Sequence, residues 1–452
     1  MLSQLLDVSI LAGPTPVLMS IAGAGGLVFL LVRRSSRWWR WTVPALGAGS
    51  VLLVLSANFA LGIWRPFPDP LPARILWWAG VGVLGLALGA ANLAIPVEER
   101  RRIRRAAGAL VSLLLVVTLA VMKINAFYGY RPTLGSVLGT IAVHESNFAA
   151  IARPQAVVAS VARLPLERTW RAPKVLPPGG QVSRVAIPGV KSGFPARPAW
   201  VYVPPAYLVS PRPLLPVLVL IAGQPGGPQD WLVAGRLVSV LDSFASAHAG
   251  LAPLVVVPDA TGSAMANPMC LDSKLGRSAS YLTDDVPDWI RQHLQVDQDT
   301  THWSIGGFSY GGTCALQLAV AAPRLYPTFL DISGQQEPTL GDHRKTVQAA
   351  YGGDEARYQA ANPLSTLSHA RFASTTAVLA FGADDHEYGP QALRVRDAAA
   401  QAGMAVTLMS LPGAHSWVIA TAALRAALPV LAERANIIAP PPTGQPAARH
   451  SR

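Results

Sequence analysis

Four long apolar stretches within the first 128 residues constrain this chain more than any other feature. The first ends just before Arg33, and the others cover about 41–63, 75–97 and 106–121, the last fading through "MKINAFYGY". Helices of roughly this length cross about 30 Å of hydrocarbon. A cleaved signal peptide has one short apolar core that follows its positive charges. The pattern therefore predicts a four-helix transmembrane region.

Arginines between these stretches predict the orientation. Two loops between the stretches are rich in arginine. One contains Arg33, Arg34, Arg37 and Arg40, and the other is "EERRRIRR" over residues 98–105. They follow the first and third stretches, and arginine-rich loops face the cytoplasm. The N-terminus and everything after about residue 128 are then predicted to be extracytoplasmic. No carboxylate or histidine lies centrally in a stretch, so the bundle is predicted to be an anchor.

The net charge of +12 raises the question of nucleic-acid binding. The two arginine-rich loops carry much of this charge, and their position between apolar stretches already explains it. No zinc-finger, RNA-recognition or helix-turn-helix pattern accompanies the charge. We therefore predict no nucleic-acid partner, and the predicted partners are a lipid bilayer and a substrate.

The remainder of the chain alternates β-rich runs with helical patterns, which is typical of a largely parallel sheet covered by helices. Eight runs are predicted as strands: "QVSRVAI", "AWVYVPP", "PVLVLIAG", "PLVVVPDA", "HWSIGGF", "PTFLDISG", "TAVLAFGA" and "AVTLMSLP". The predicted organisation is a transmembrane region over 1–128, a linker over 129–178, an α/β domain over 179–436 and a disordered tail over 437–452.

The stretch "GGFSYGG" places Ser309 in a G-x-S-x-G pattern between Gly307 and Gly311. This pattern marks a catalytic serine when a strand runs into it and a helix follows. "HWSIGGF" predicts the strand and "YGGTCALQLAV" the helix. Ser309 is therefore the candidate nucleophile.

A serine nucleophile needs a base, and in this fold class the acid and then the histidine follow the serine in the chain. His415 in "LPGAHSWVIA" follows the last predicted strand and is the candidate base. The acid is expected in "AVLAFGADDHEYGP", where Asp385 is favoured and Asp384 is the alternative. The "DDHE" run lacks the spacing of a metal site, and no metal is predicted.

Acyl transfer also needs N–H donors for the developing oxyanion. The backbone of Tyr310, directly after the nucleophile, is one candidate. The second is expected in the loop "IAGQPGGPQDW", where Pro225 has no N–H, so Gln224 is the candidate donor.

Four segments resemble the esterase family of α/β-hydrolases that includes esterase D, enterochelin esterases, feruloyl esterases and actinobacterial mycolyltransferases. They are "LPVLVLIAGQPGGPQDWL", "YLTDDVPDWI", "GGFSYGG" and "LPGAHSW". The resemblance covers about residues 180–435 and implies an α/β-hydrolase fold and acyl-ester chemistry without a cofactor. The apolar N-terminal region followed by "NAFYGYRPTLG" resembles an actinobacterial membrane-anchored subgroup. One departure is Ala222-Gly223, where the family has His-Gly.

The chain has two cysteines, Cys270 and Cys314. Cys314 lies five residues beyond the candidate nucleophile, on its helix, and Cys270 lies in the loop "NPMCLDSKLG". An exported protein can oxidise such a pair. The sequence leaves two interpretations open, a disulfide or two buried thiols, because it does not supply the distance between them.

These features predict a membrane-anchored, extracytoplasmic serine esterase of a bacterial cell membrane. It would hydrolyse an acyl ester, in a lipid or another envelope component, through an acyl-enzyme. Two alternatives remain at this point. One is an acyltransferase that passes the acyl group to a sugar or lipid hydroxyl, and the other is a catalytically inactive envelope scaffold.

Overall fold

The computed structural model describes residues 5–64, 70–94, 99–139, 145–158 and 164–440, without the side chains of 99–102. The chain divides into two compact units, Met1–Ala142 and Val143–Arg452. Residues 65–69 and 95–98, which include Glu98 of the second arginine-rich loop, lie outside the described residues.

The first unit is helical. Among its described residues, four helical segments are long and apolar enough to cross a membrane: Pro14–Leu31, Trp38–Trp64, Ala73–Ala94 and Ile103–Tyr128. They correspond to helix α1 (Pro14–Leu31), α2 (Val43–Trp64, after a π-helical turn over Trp38–Thr42), α3 (Ala73–Ala94) and α4 (Glu99–Tyr128), and a short α5 (Leu134–Val137) follows. The fourth predicted stretch is thus longer than the 106–121 read from the sequence.

Within this unit, α4 packs against both α1 and α3. Asn92 near the end of α3 is buried, and its amide nitrogen donates to the carbonyls of Leu30 at 3.0 Å and Leu88 at 2.9 Å. Its Oδ1 accepts from the Nε of Arg33 at 3.2 Å. A buried amide in an apolar bundle needs such partners. Asn92 therefore connects the ends of α1 and α3.

The described strands of the second unit are β1 (Gln181–Val185), β2 (Ala199–Val203), β3 (Val217–Ile221), β4 (Leu254–Val257), β5 (Asp272–Ser273), β6 (Gly276–Arg277), β7 (Ser304–Phe308), β8 (Thr328–Ile332), β9 (Thr376–Gly382) and β10 (Ala405–Leu411). Eight of them form one sheet in the order β1-β2-β4-β3-β7-β8-β9-β10, and β5 and β6 form a separate small hairpin. Strand β2 is antiparallel to both of its neighbours, β1 and β4, and the other strand pairs of the sheet are parallel. Each of the eight predicted runs contains one strand of the main sheet, so the predicted mostly parallel sheet is confirmed.

Helices cover the sheet. The described ones are α6 (Phe148–Ala152), α7 (Leu166–Thr169), α8 (Gln229–Val233), α9 (Leu237–Ala247), α10 (Ser278–Ser280), α11 (Val286–His293), α12 (Tyr310–Ala321), α13 (His343–Tyr351), α14 (Glu355–Ala361), α15 (Pro363–His369), α16 (Tyr388–Gln401) and α17 (Trp417–Arg434). Arg236, between α8 and α9, adopts a left-handed backbone with φ 48°, which separates the two helices. Helices α13 to α15 form an insertion between β8 and β9.

The predicted domain boundaries differ from those of the structure. Residues from Val143 onward belong to the second unit, although 129–178 was predicted to be a linker. Ile151 and Trp170 are buried, and the indole N–H of Trp170 donates to the Ala249 carbonyl at 3.0 Å. Apolar burial thus attaches this segment to the core of the second unit.

The predicted start of the disordered tail is also too early. Ile437 is fully buried, and its carbonyl accepts a hydrogen bond from the Glu167 N–H at 3.0 Å. The ordered chain therefore continues past residue 436, and residues 441–452 of the predicted tail lie outside the described residues.

Candidate active site

Ser309 stands at the turn between β7 and α12, as the residue that caps the helix. Its backbone has φ 58° and ψ −120°, a conformation that is strained for a residue with a side chain. The Ser309 N–H donates to the Ile332 carbonyl at 2.8 Å, and its carbonyl accepts from the N–H groups of Gly312 and Thr313. These bonds hold the strained turn in place.

Space requires the glycines on both sides of the serine. A Cβ on Gly307 would lie 2.3 Å from the carbonyl carbon of Gly311. A Cβ on Gly311 would lie 2.2 Å from the Ile221 carbonyl oxygen at the end of β3. Real Cβ atoms do not approach backbone this closely, so any side chain at either position would push β7, α12 and β3 apart.

His415 and Asp385 are brought together from two different loops. The Nδ1 atom of His415 lies 3.0 Å from Oδ2 of Asp385. The Asp385 side chain is only 3% exposed, and its Oδ1 accepts the Tyr388 N–H at 3.0 Å. Asp384, the alternative acid, is exposed. The structure thus pairs His415 with Asp385 and not with its neighbour.

The environment keeps the Asp385 carboxylate ionised. Burial alone would raise its pKa, but the hydrogen bond and charge of His415 and the bond from the Tyr388 N–H more than offset burial. The pKa of Asp385 is therefore held below its ordinary value. Since the folded-state pKa is lowered, the Asp385 carboxylate is ionised at neutral pH and becomes protonated only as the pH falls through that lowered value.

Two aromatic rings fix the plane of the His415 imidazole. Phe308, the residue before Ser309, stacks on it with ring centroids 4.8 Å apart, and Tyr388 stacks on it at 4.2 Å. The interplanar angles are 29° and 24°. Phe308 occupies a variable position of the G-x-S-x-G pattern, and nothing in the sequence indicated that its ring would stack on His415.

A second buried carboxyl, Asp331, lies on β8 beside the start of α12. Burial raises its pKa to about 7, although the hydrogen bond from the Gly334 N–H, at 2.8 Å, acts in the opposite direction. Asp331 is thus largely protonated below neutral pH. The carboxylate next to His415 is that of Asp385.

The candidate oxyanion donors lie on two segments that meet at Ser309. The Tyr310 N–H occupies the first position of α12, where helix geometry provides no intrahelical acceptor. On the other segment, a Cβ on Gly223 would be 3.5 Å from the Cβ of Ser309. Gln224 therefore follows a residue that lies close to the nucleophile, and its side chain donates to the Met265 carbonyl at 3.1 Å.

The structure joins Cys270 to Cys314 by a disulfide, with Cα atoms 5.4 Å apart. The Tyr310 hydroxyl adds to this connection, because it accepts the Cys270 N–H at 3.1 Å and donates to the Ala260 carbonyl at 3.1 Å. Gln317 of α12 donates to the Met269 carbonyl at 3.0 Å. The loop around Cys270 is thereby fixed to the helix that begins at the nucleophile.

An ion pair next to the donor loop, residues 221–231, was not found from the sequence; Asp259 is buried and Arg197 is partly buried. Arg197 and Asp259 belong to no motif and are 62 residues apart. Their bidentate bond depends on the adjacency of β2 and β4, which only the assembled sheet provides.

Comparison with known proteins places the chain in a family. The family model described as "Putative esterase" matches residues 196–427. An uncharacterized protein of Corynebacterium glutamicum is 35% identical over 436 residues, which cover 93% of this chain and 96% of that protein. The similarity to this relative thus extends through both units.

Two solved structures are similar to part of the chain. A ferulic acid esterase is 18% identical with a TM-score of 0.49, over 57% of this chain and 99% of that one. An S-formylglutathione hydrolase from Agrobacterium tumefaciens is 20% identical with a TM-score of 0.48, over 58% and 99%.

The matched range of the family model includes Ser309, Asp385 and His415. The chain therefore belongs to this esterase family and is a serine hydrolase with an α/β-hydrolase fold.

Proposed function

We propose that the protein is a membrane-anchored, extracytoplasmic esterase that hydrolyses an acyl ester with Ser309 as nucleophile. The observation that supports this most is the His415–Asp385 pair, 3.0 Å apart, whose imidazole stacks on the residue before Ser309. A serine, a histidine and a buried carboxylate are the parts that acyl transfer requires.

In the proposed acylation step, His415 takes the proton of the Ser309 hydroxyl while its oxygen attacks the ester carbonyl. Asp385 accepts the Nδ1–H of His415, which fixes the tautomer and stabilises the imidazolium. The N–H groups of Tyr310 and Gln224 donate to the oxyanion. The intermediate collapses when the ester C–O bond breaks and His415 gives its proton to the leaving alkoxide, so an alcohol departs.

In the deacylation step, His415 takes a proton from water, and the resulting hydroxide adds to the acyl-enzyme carbonyl. Collapse breaks the bond to the Ser309 oxygen, which recovers its proton from His415. The products are a carboxylic acid and an alcohol, and no cofactor takes part. Stacking on Phe308 and Tyr388 holds the His415 imidazole in one orientation through both proton transfers.

Acyl transfer is the second candidate, because a sugar or lipid hydroxyl can replace water in the second step. The resemblance to mycolyltransferases in the nucleophile and histidine segments supports it. The catalytic residues would be the same for both reactions. An inactive scaffold is less well supported, since it has no need for a buried carboxylate held ionised beside a histidine.

The proposed side of the membrane rests on the arginine-rich loops after the first and third apolar stretches. The disulfide between Cys270 and Cys314 supports the same side, because such bonds persist in oxidising compartments. An ester of a lipid or another envelope component is the substrate class that this location favours.

Replacement of Ser309 by alanine should abolish covalent labelling by a fluorophosphonate probe. The same variant should lower hydrolysis of p-nitrophenyl esters by about 10³-fold or more, because the nucleophile is lost. The measurement uses the full-length protein in detergent. Labelling of Ser309→Ala equal to that of the wild type would refute the assignment. Product analysis with and without an added alcohol distinguishes hydrolysis from transfer.

Asp385→Asn should lower kcat by about 10³–10⁴-fold, because the imidazole loses the acceptor that fixes its tautomer. Asp384→Asn is the matched control, since it makes the same change one residue earlier on an exposed side chain, and it should leave kcat within about twofold. Steady-state kinetics at pH 7 measures both. The reverse order of the two variants would assign the acid to Asp384.

Protease added to intact spheroplasts should remove the second unit, Val143–Arg452, because the proposal places it outside. Immunoblotting with an antibody to this unit follows the cleavage. A cytoplasmic marker protein must survive intact in the same sample. Cleavage of the unit only after the membrane is permeabilised would reverse the proposed orientation.

A further inference from the structure

The Arg197 side chain is hydrogen-bonded to the loop that carries Gln224. The Arg197 guanidinium contacts Asp259 twice, Nε to Oδ2 at 3.0 Å and Nη2 to Oδ1 at 2.8 Å. Its Nη2 also lies 2.9 Å from the Gly226 carbonyl oxygen and 2.8 Å from the Thr261 hydroxyl oxygen. One side chain thus connects the donor loop with the segment after β4.

Asp259, the acceptor of the Arg197 bonds, is held in place by burial and by further hydrogen bonds. Its side chain is 1% exposed, and it accepts further bonds from the N–H groups of Arg197, Thr261 and Gly262. Burial alone would raise its pKa, but the bonds from Arg197 and Thr261 and the charge of Arg197 bring that pKa below its ordinary value. The carboxylate is therefore ionised and fully partnered, and its position is well defined.

The donor loop makes two further bonds to the segment after β4. The Gly226 N–H donates to the Ala264 carbonyl at 3.0 Å, and the Gln224 side chain donates to the Met265 carbonyl at 3.1 Å. A small cavity between the two segments is lined by residues of both, among them Gly223, Gly227 and Thr261. The segments therefore face each other, and the Arg197 bonds set their separation on one side.

The separation matters because Gly223, at the other end of the same loop, lies close to Ser309. A Cβ on Gly223 would make ordinary contact with the Ser309 Cβ, at 3.5 Å. Gln224 lies between Gly223 and the Gly226 carbonyl that Arg197 binds, so a shift of that carbonyl would move the Gln224 N–H. A donor serves the oxyanion only within a few tenths of an ångström of the right place.

We propose that Arg197 is a positioning residue for the reaction, which holds the Gln224 N–H in the oxyanion hole by tying the Gly226 carbonyl to buried Asp259. This inference rests on the proposed esterase function and on Gln224 as a donor. Arg197 does not itself act on the substrate. Its loss should weaken stabilisation of the transition state and leave ground-state binding of the ester nearly unchanged.

Lysine cannot replace arginine in this role. Its single ammonium can neutralise Asp259, but it has no planar fork that contacts both carboxylate oxygens and the Gly226 carbonyl together. Arg197→Lys thus separates the charge of the pair from its geometry. A merely structural role would be restored by the charge, whereas positioning would not.

The test compares Arg197→Met, Arg197→Lys and Arg212→Met in full-length protein, with p-nitrophenyl ester kinetics and thermal unfolding. The kcat is expressed per site labelled by the fluorophosphonate probe. Arg197→Met should lower kcat by about 30–100-fold with KM within about threefold, since loss of a whole donor costs about 10²–10³-fold. Arg197→Lys should regain most of the lost thermal stability but keep kcat at least about 10-fold low. If Arg197→Met does not fold, Arg197→Lys carries the test.

Arg212→Met is the matched control. Arg212 is a buried arginine of the second unit, whereas Arg197 is partly buried, and the Arg212 guanidinium lies 4.2 Å from the Tyr207 ring centroid. Its replacement should lower stability and leave kcat per labelled site within about twofold. A kcat of Arg197→Met within twofold of the wild type, or full recovery of kcat in Arg197→Lys, would overturn the inference. The proposed function fails separately, through labelling that persists in Ser309→Ala.

Discussion

The second unit depends on a close backbone approach at one point, where Gly311 of α12 lies against the end of β3. No atom beyond hydrogen fits between Gly311 and the Ile221 carbonyl. This contact lets the chain reverse sharply at Ser309. The Ser309 N–H donates to the Ile332 carbonyl, and the Ser309 carbonyl accepts from Gly312 and Thr313, which holds the strained backbone. A strain of about 1–3 kcal/mol in such a residue persists only where its surroundings fix it. The turn presents the serine, the first helical N–H and Phe308 together.

The remaining parts of the site reach this turn from different strands. The donor loop follows β3, the acid follows β9 and the histidine follows β10, and these strands are parallel. Their carboxyl ends meet at the same edge of the sheet, which is where ligands bind in folds of this kind. The proposed reaction then needs no group beyond those that the sheet brings together. The disulfide to Cys314 ties one more loop to the same helix.

The parts of this arrangement that the sequence predicted are local. Eight strands were visible because each is a short, β-branched run bounded by turn residues, and the elbow was visible because its glycines are adjacent to Ser309. His415 was visible because it follows the last strand on a short loop. The apolar stretches predicted the four long helices because each is a continuous run of apolar residues. The fourth helix, Glu99–Tyr128, is longer than the predicted stretch over 106–121.

What the sequence could not predict depends on distant contacts. Asp384 and Asp385 are adjacent, so the sequence does not show which of the two side chains points toward His415. The loop after β9 buries Asp385 against His415. Trp170 gave no sign that its segment belongs to the hydrolase core, because its partner at Ala249 is 79 residues away. The Arg197–Asp259 pair requires two strands to be neighbours. In each case the sheet supplies the information.

The central claim is that Ser309 forms the covalent bond to the substrate acyl group. The most direct measurement is peptide mapping by mass spectrometry of the wild-type protein after brief reaction with a slowly hydrolysed ester and an acid quench. The account predicts one stoichiometric acyl adduct, located on the peptide that contains Ser309. An adduct on another residue, or turnover of the ester without any covalent adduct at Ser309, would contradict it.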